Sequence, residues 1–159
     1  MVEIEAGLKE LKLSTSSLEA IAVSVGPGSY TGIRVGAAAA KGLAFLKSLP
    51  LVTFCSLEGF VSEREGKFAS VIDARIGGFY VLLQERRGDI LHIIVPPQLI
   101  SKENLEDFLE EYPIHVGPHL GYPNSSCLAQ LVAKKLRAKD YSSDFELIYL
   151  RTPDYQTSN

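Results

Sequence analysis

Two histidines in the run "HVGPH", His115 and His119, have the i, i+4 spacing of a helical metal pair. Gly117-Pro118 lies between them and forbids a helix there. Ligation from a loop would need carboxylate partners that are not evident nearby, and His92 stands alone. A metal-dependent enzyme with His115 and His119 as ligands is the catalytic alternative that the residues leave open. A second candidate is the turn in "VSVGPGSYTGIRVGAAAAKGLAF", Val23 to Phe45. It fails three known templates. Walker A would need glycine where Lys41 stands, a dinucleotide fingerprint would need glycine at Thr31, and a nucleophile elbow would need glycines at Pro27 and Thr31. A glycine turn before a helix N-terminus still offers free N–H groups to an anion. Nucleotide binding at Gly26, Pro27, Gly28, Ser29 and Thr31 therefore stays open beside the plainer role of Ser29 or Thr31 as a helix cap. Arg34 could meet an anion or a partner's carboxylate, with a local salt bridge as the default. Asp73 and Arg75 in "IDARIGG" could be polar site residues or could close a hairpin turn through side-chain bonds.

The glycines in the helix itself raise another question, because each costs about 1 kcal/mol against alanine. Gly32, Gly36 and Ala40 recur every four positions, and Ala39 and Leu43 broaden the same face. Such a stripe admits another helix at close range. That helix is either this chain's own first helix or one from a second subunit.

The elements that carry these residues follow from periodicity and punctuation. Glu3 to Leu11 has helical spacing, with Ile4, Leu8 and Leu11 on one face. "STSSLE" holds a capping box of Ser16 and Glu19 opening one short turn. Ala20 to Val25 is a buried strand, Thr31 to about Lys47 a helix, "PLVTFC" a short strand and "SLEGFVSE" a further helix capped by Ser56. Composition shifts at Arg64-Glu65-Gly66, which divides the chain into a first lobe, 1–65, and a second, 66–159. In the second, "FASVIDARIGGFYVLLQE" reads as two strands bent at Gly77-Gly78, and "DILHIIV" as a third ended by Pro96-Pro97. A helix capped by Ser101 follows, with Leu105, Phe108 and Leu109 facing inward. "PIHVG" is a strand. "NSSCLAQLVAKKLRAK" is an amphipathic helix bearing Leu128, Leu131, Val132 and Leu136, and "FELIYL" a last strand. The class is α/β with mixed sheets.

Composition limits the partners. The 159 residues carry a net charge of −3 and are 46% hydrophobic and 22% charged, as expected of an ordinary soluble domain. "AKKLRAK" is the sole basic cluster, suited to a helix C-terminus rather than to gripping nucleic acid alone. Cys55 and Cys127 lack metal or redox spacing and suit a reducing compartment. The acidic, amphipathic start is unlike a signal peptide, and no apolar run approaches a membrane span, so a cytoplasmic protein is expected.

"AIAVSVGPGSYTGIRVGAAAAKGLAF" resembles the signature of the TsaB family, non-catalytic members of the bacterial machinery that makes N6-threonylcarbamoyladenosine in tRNA. "PLVTFCSLEGF", "VIDARIGGFYV" and "ELIYLRTP" agree with it in order. The resemblance implies two ribonuclease-H-like lobes of the actin and sugar-kinase (ASKHA) type. It implies an accessory subunit without catalytic residues, metal or cofactor of its own, where any ATP or ADP enters through the complex. The partner implied is the catalytic TsaD, which carries a similar glycine turn and a helical His-x-x-x-His pair; a TsaE-like ATPase joins via that complex. Alone, such a protein forms a homodimer, and tRNA is met only indirectly. Both pairings use the two helices of the first lobe, here Glu3–Leu11 and Thr31–Lys47. The interface residues implied are Leu8, Leu11, Gly32, Gly36, Ala39, Ala40 and Leu43, and the family turn is Gly26, Pro27, Gly28, Ser29, Thr31, Arg34, Asp73 and Arg75. The family opens with a three-stranded meander, whereas this sequence starts at the following helix, so an incomplete, N-terminally shortened first lobe is expected.

Overall fold

The computed structural model describes residues 2–75, 77–88, 90–112, 114–118, 122–142 and 144–150. The elements run α1 (Val2–Glu10), β1 (Ile21–Ser24), α2 (Tyr30–Lys47), β2 (Leu51–Phe54), β3 (Gly66–Asp73), β4 (Phe79–Arg87), β5 (Ile90–Ile100), α3 (Lys102–Glu111), β6 (His115–Val116) and α4 (Ser125–Arg137). Single 3-10 turns lie at Thr15–Ser17 and Ser56–Gly59.

Parallel strands need a crossover, and α2 provides it between β1 and β2, which pair Ile21 with Leu51 through Ser24 with Phe54. The helix meets this small sheet through Ala37, Ala40 and Ala44, of which Ala40 and Ala44 cluster with Val23 and Leu51. Its C-terminus stops at Ser48, a left-handed residue whose N–H reaches the Ala44 and Phe45 carbonyls.

The second sheet has the order β5-β4-β3-β6, antiparallel except for β6 beside β3. Strand β4 is buried on both faces, and its alternation divides two cores. Tyr80 and Leu82 point to one with Cys55 and Leu57. Val81 points to the other with Ala69 and Val71, which α3 covers through Leu105, Phe108 and Leu109 as the spacing predicts. Between the sheets, buried Gln84 donates to Ser70 Oγ at 2.9 Å, and the Ser70 hydroxyl donates to the Phe60 carbonyl at 2.7 Å. Helix α4 and residues 144–150 return to the first sheet. Lys135 Nζ donates to the Thr53 carbonyl of β2 at 3.0 Å, and Phe145 packs on the α2–β1 cluster.

Several sequence expectations are corrected. Strand β5 does not end at Pro96-Pro97 but runs through to Ile100. It is an edge strand, and Val81 and Leu83 of β4 face Gln98 and Val95, so the prolines fall in a bulge where no ladder donor is needed. "SLEGFVSE" forms only the turn at Ser56–Gly59, and its cap is Cys55, whose N–H donates to Glu58 at 2.7 Å. Ser56 instead shares a 2.7 Å hydroxyl bond with Ser24. The Ser16–Glu19 capping box is not what opens the first 3-10 turn; Ser14 is the cap position there, and the Ser16 hydroxyl bonds Ser14 Oγ at 2.6 Å. Ser101 precedes α3 without capping it through its side chain. The Glu103 carboxyl is held below its usual range first by its own backbone N–H and then by the Ser101 hydroxyl. "FELIYL" carries no strand assignment, although Ile148 N–H donates to the Val25 carbonyl at 2.8 Å.

Candidate functional site

The glycine turn is built inward, onto its own chain. Gly26 has φ +101°, a conformation L side chains rarely adopt, and a Cβ there would stand 2.8 Å from the Ile148 carbonyl oxygen. Its own carbonyl accepts from Ser56 N–H at 2.8 Å. Pro27 is among the fully buried side chains. Ser29 caps α2, its hydroxyl accepting from Gly32 N–H at 3.3 Å. Gly28 and Thr31 are exposed. Arg34 lies 3.8 Å over the Tyr30 ring, and its Nε donates to the Tyr149 hydroxyl at 2.8 Å. The two tyrosine rings are 5.1 Å apart. Arg34 is thus engaged by both tyrosine side chains. Asp73 and Arg75 form the β3–β4 turn. The Asp73 carboxylate accepts from Arg75 N–H at 2.6 Å, and Arg75, at φ 65°, is left-handed. This is the turn-closing role that the residue types suggested.

The outer surface of α2 is different. Apart from the helix's own adjacent backbone, no described atom lies within 4 Å of a Cβ built at Gly36 or Gly42, and Gly32 meets only Ser29. Close packing against the chain's own first helix therefore does not account for Gly36. Around it α2 exposes Val35 and Leu46, the latter 78% exposed, on a face they share with Ala39 and Gly42; Phe45, 86% exposed, projects elsewhere. Helix α1 buries no residue and exposes Val2 and Ile4, with Leu11 and Leu13 just beyond it. Leu8, Gly36 and Leu43 are half-buried, and Gly32 and Ala39 are exposed. Ala40 is a correction: it is buried in the α2–β1–β2 core, because the helix turns that flank to the sheet. Val35 and Leu46 were missed by the sequence reading. Their signal was available, since they lie four residues before and seven after Ala39.

The remaining candidates are scattered. His115 lies on β6 and lines a cleft of about 500 Å³ with Phe60, Arg64, Tyr122 and Asn124. His119 lies outside the described residues, as do 151–159. Among the described residues no three His, Cys, Asp or Glu side chains group as metal ligands. Cys55 is buried, and that burial, with the Glu58 charge nearby, pushes its thiol up to about 11 despite hydrogen bonds from the backbone. No helix among the described residues is long and apolar enough to cross a membrane.

A family model described as TsaD, tRNA N6-adenosine threonylcarbamoyltransferase, matches residues 1–149. The tRNA threonylcarbamoyladenosine biosynthesis protein TsaB of Bacillus subtilis is 33% identical over 113 residues, which is 69% of this chain and 48% of that protein. The protein of the same description from Haemophilus influenzae is 32% identical over 99 residues, 57% of this chain and 42% of its own. The chain thus spans about half the length of the curated relatives it matches. A crystal structure of an uncharacterized protein from Pseudomonas aeruginosa, described as similar to peptidase YEAZ, superposes with a TM-score of 0.77. It covers 93% of this chain and 81% of its own at 19% identity. At that identity the likeness shows the fold alone, and that fold is of the mixed α/β class expected from the sequence.

Proposed function

The chain belongs to the TsaB family, within the wider family that bears TsaD's description, and on that premise we propose that it is a non-catalytic scaffold for a TsaD-type subunit in threonylcarbamoyladenosine modification of tRNA. One observation carries the reading. Helix α2 presents an apolar outer face in which Gly36 and Gly42 have open space above them. Exposed aliphatic side chains beside backbone with no Cβ form a surface that a second helix can approach closely while excluding water. The relatives are described as biosynthesis proteins of this modification, and the glycine turn packs at Gly26 against this chain's own Ile148 carbonyl. Both favour partner binding over chemistry at the turn.

In this reading the interface comprises Leu8, Leu11, Gly32, Gly36, Ala39 and Leu43, extended to Val35 and Leu46. The protein works in the cytoplasm, pairs with itself when alone, and requires no cofactor of its own. A TsaE-like ATPase and tRNA are met through the complex. Co-purification with the TsaD of the same organism, sized by light scattering, tests it. A stable 1:1 or 2:2 complex is expected, lost in Gly36→Leu while the monomer stays folded. Normal pairing by Gly36→Leu would refute the interface.

A further inference from the structure

Residues 144–150 touch α2, β1 and the glycine turn through Phe145, Ile148 and Tyr149. Phe145 packs on the cluster of Val23, Ala40, Ala44 and Leu51, and Lys41 Nζ lies 4.6 Å over its ring. Ile148 N–H donates to the Val25 carbonyl at 2.8 Å, and its carbonyl oxygen occupies the space a Cβ at Gly26 would take. Tyr149 receives the Arg34 Nε hydrogen bond at 2.8 Å and stacks near Tyr30.

The buried residues of α2 are alanines, whose small side chains bury little area on the two-stranded sheet, and half-buried Ile33 lies against the glycine turn. A helix so lightly held needs other anchors. Arg34 and Lys41 are seven residues apart and share one flank. Gly32, Gly36, Ala39 and Leu43 lie on the other side of the buried alanines. The segment therefore grips α2 along one flank and leaves the small-residue face clear.

We propose that residues 144–150 are a C-terminal strap that fixes the glycine turn and α2, with Phe145 and Tyr149 as positioning residues for the α2 association face. The contacts stand on the structure alone; the consequence for association rests on the scaffold reading above.

Amide exchange of the isolated full chain, followed by mass spectrometry, tests the strap without a partner. In Tyr149→Ala, exchange across 25–36 should rise at least tenfold while β3 and β4 keep wild-type protection. Tyr149→Phe, which keeps the stacked ring and loses the hydroxyl, should fall between. Unchanged exchange across 25–36, or an equal rise across β3 and β4, overturns the strap. The association arm uses Phe145→Ala, because that side chain faces the core rather than the outer face of α2. Binding of the TsaD-type subunit should weaken at least fivefold, and an unchanged affinity overturns the positioning role. If wild type itself binds no such subunit, the scaffold reading fails, and the exchange result still decides the strap.

Discussion

Gly26 announces a special backbone from its place in a Gly-Pro-Gly turn. The neighbour that requires glycine there, the Ile148 carbonyl, lies more than a hundred positions away and leaves no local trace. Gly26→Ala should therefore destabilise the chain by about 2 kcal/mol or more, through strain at positive φ and collision with that carbonyl, as read by denaturant unfolding. Gly36 has no such neighbour, so Gly36→Ala should stabilise the isolated chain by about 0.5–1 kcal/mol. The two substitutions, identical in chemistry, should move in opposite directions. Cys55 makes a third case. Its thiol is pushed up to about 11 from 9.0, so the unfolded chain ionises first as pH rises. The thiol's contribution is fully present below pH 9 and lost as pH climbs through 11. Cys55→Ala should flatten that part of the stability profile, and in the native protein at pH 8 Cys55 should react with thiol reagents far more slowly than in denaturant.

Among the elements, those with a strong period were legible and those decided by an edge or a distant partner were not. Helix α3 has its three apolar residues where the spacing predicts, packed on the second sheet. Strand β5 passes through Pro96-Pro97 because an edge strand with a bulge needs no donor there, a fact of sheet order that sequence does not express. The outer face of α2 was legible as a stripe of small residues but misplaced by part of a turn. Ala40 belongs to the core and Val35 to the surface, because helical periodicity finds faces without saying which one meets the sheet. Buried polar pairs were invisible for a related reason, since nothing in the period marks Ser70 and Gln84 as partners. Ser70→Ala would leave the Gln84 amide without its acceptor in the interior, at a cost of about 1–3 kcal/mol in unfolding free energy. Conversion of both residues to apolar ones of similar shape should cost much less.

For the whole molecule, the α/β class was legible in the alternation of strands and helices, and the superposition on the Pseudomonas structure agrees with that fold, while the family rests on the match over residues 1–149. Less legible was the return of the chain's end to its beginning, which makes the first sheet depend on residues from both sides of 64–66. The proposed association through an apolar face makes a further demand. Raising salt to 1 M should leave self-association or partner binding intact or stronger, as measured by light scattering, whereas an ion-paired interface would weaken. The outer rim of the larger sheet has its own consequence. Strand β5 exposes Ile90, Ile93 and Ile94 along an edge, a combination that ordinarily seeds fibres. Two adjacent prolines and a doubled bulge interrupt it, so a foreign strand arriving there finds neither a regular row of donors nor a flat surface. A concentrated stock should therefore not grow fibres from this edge.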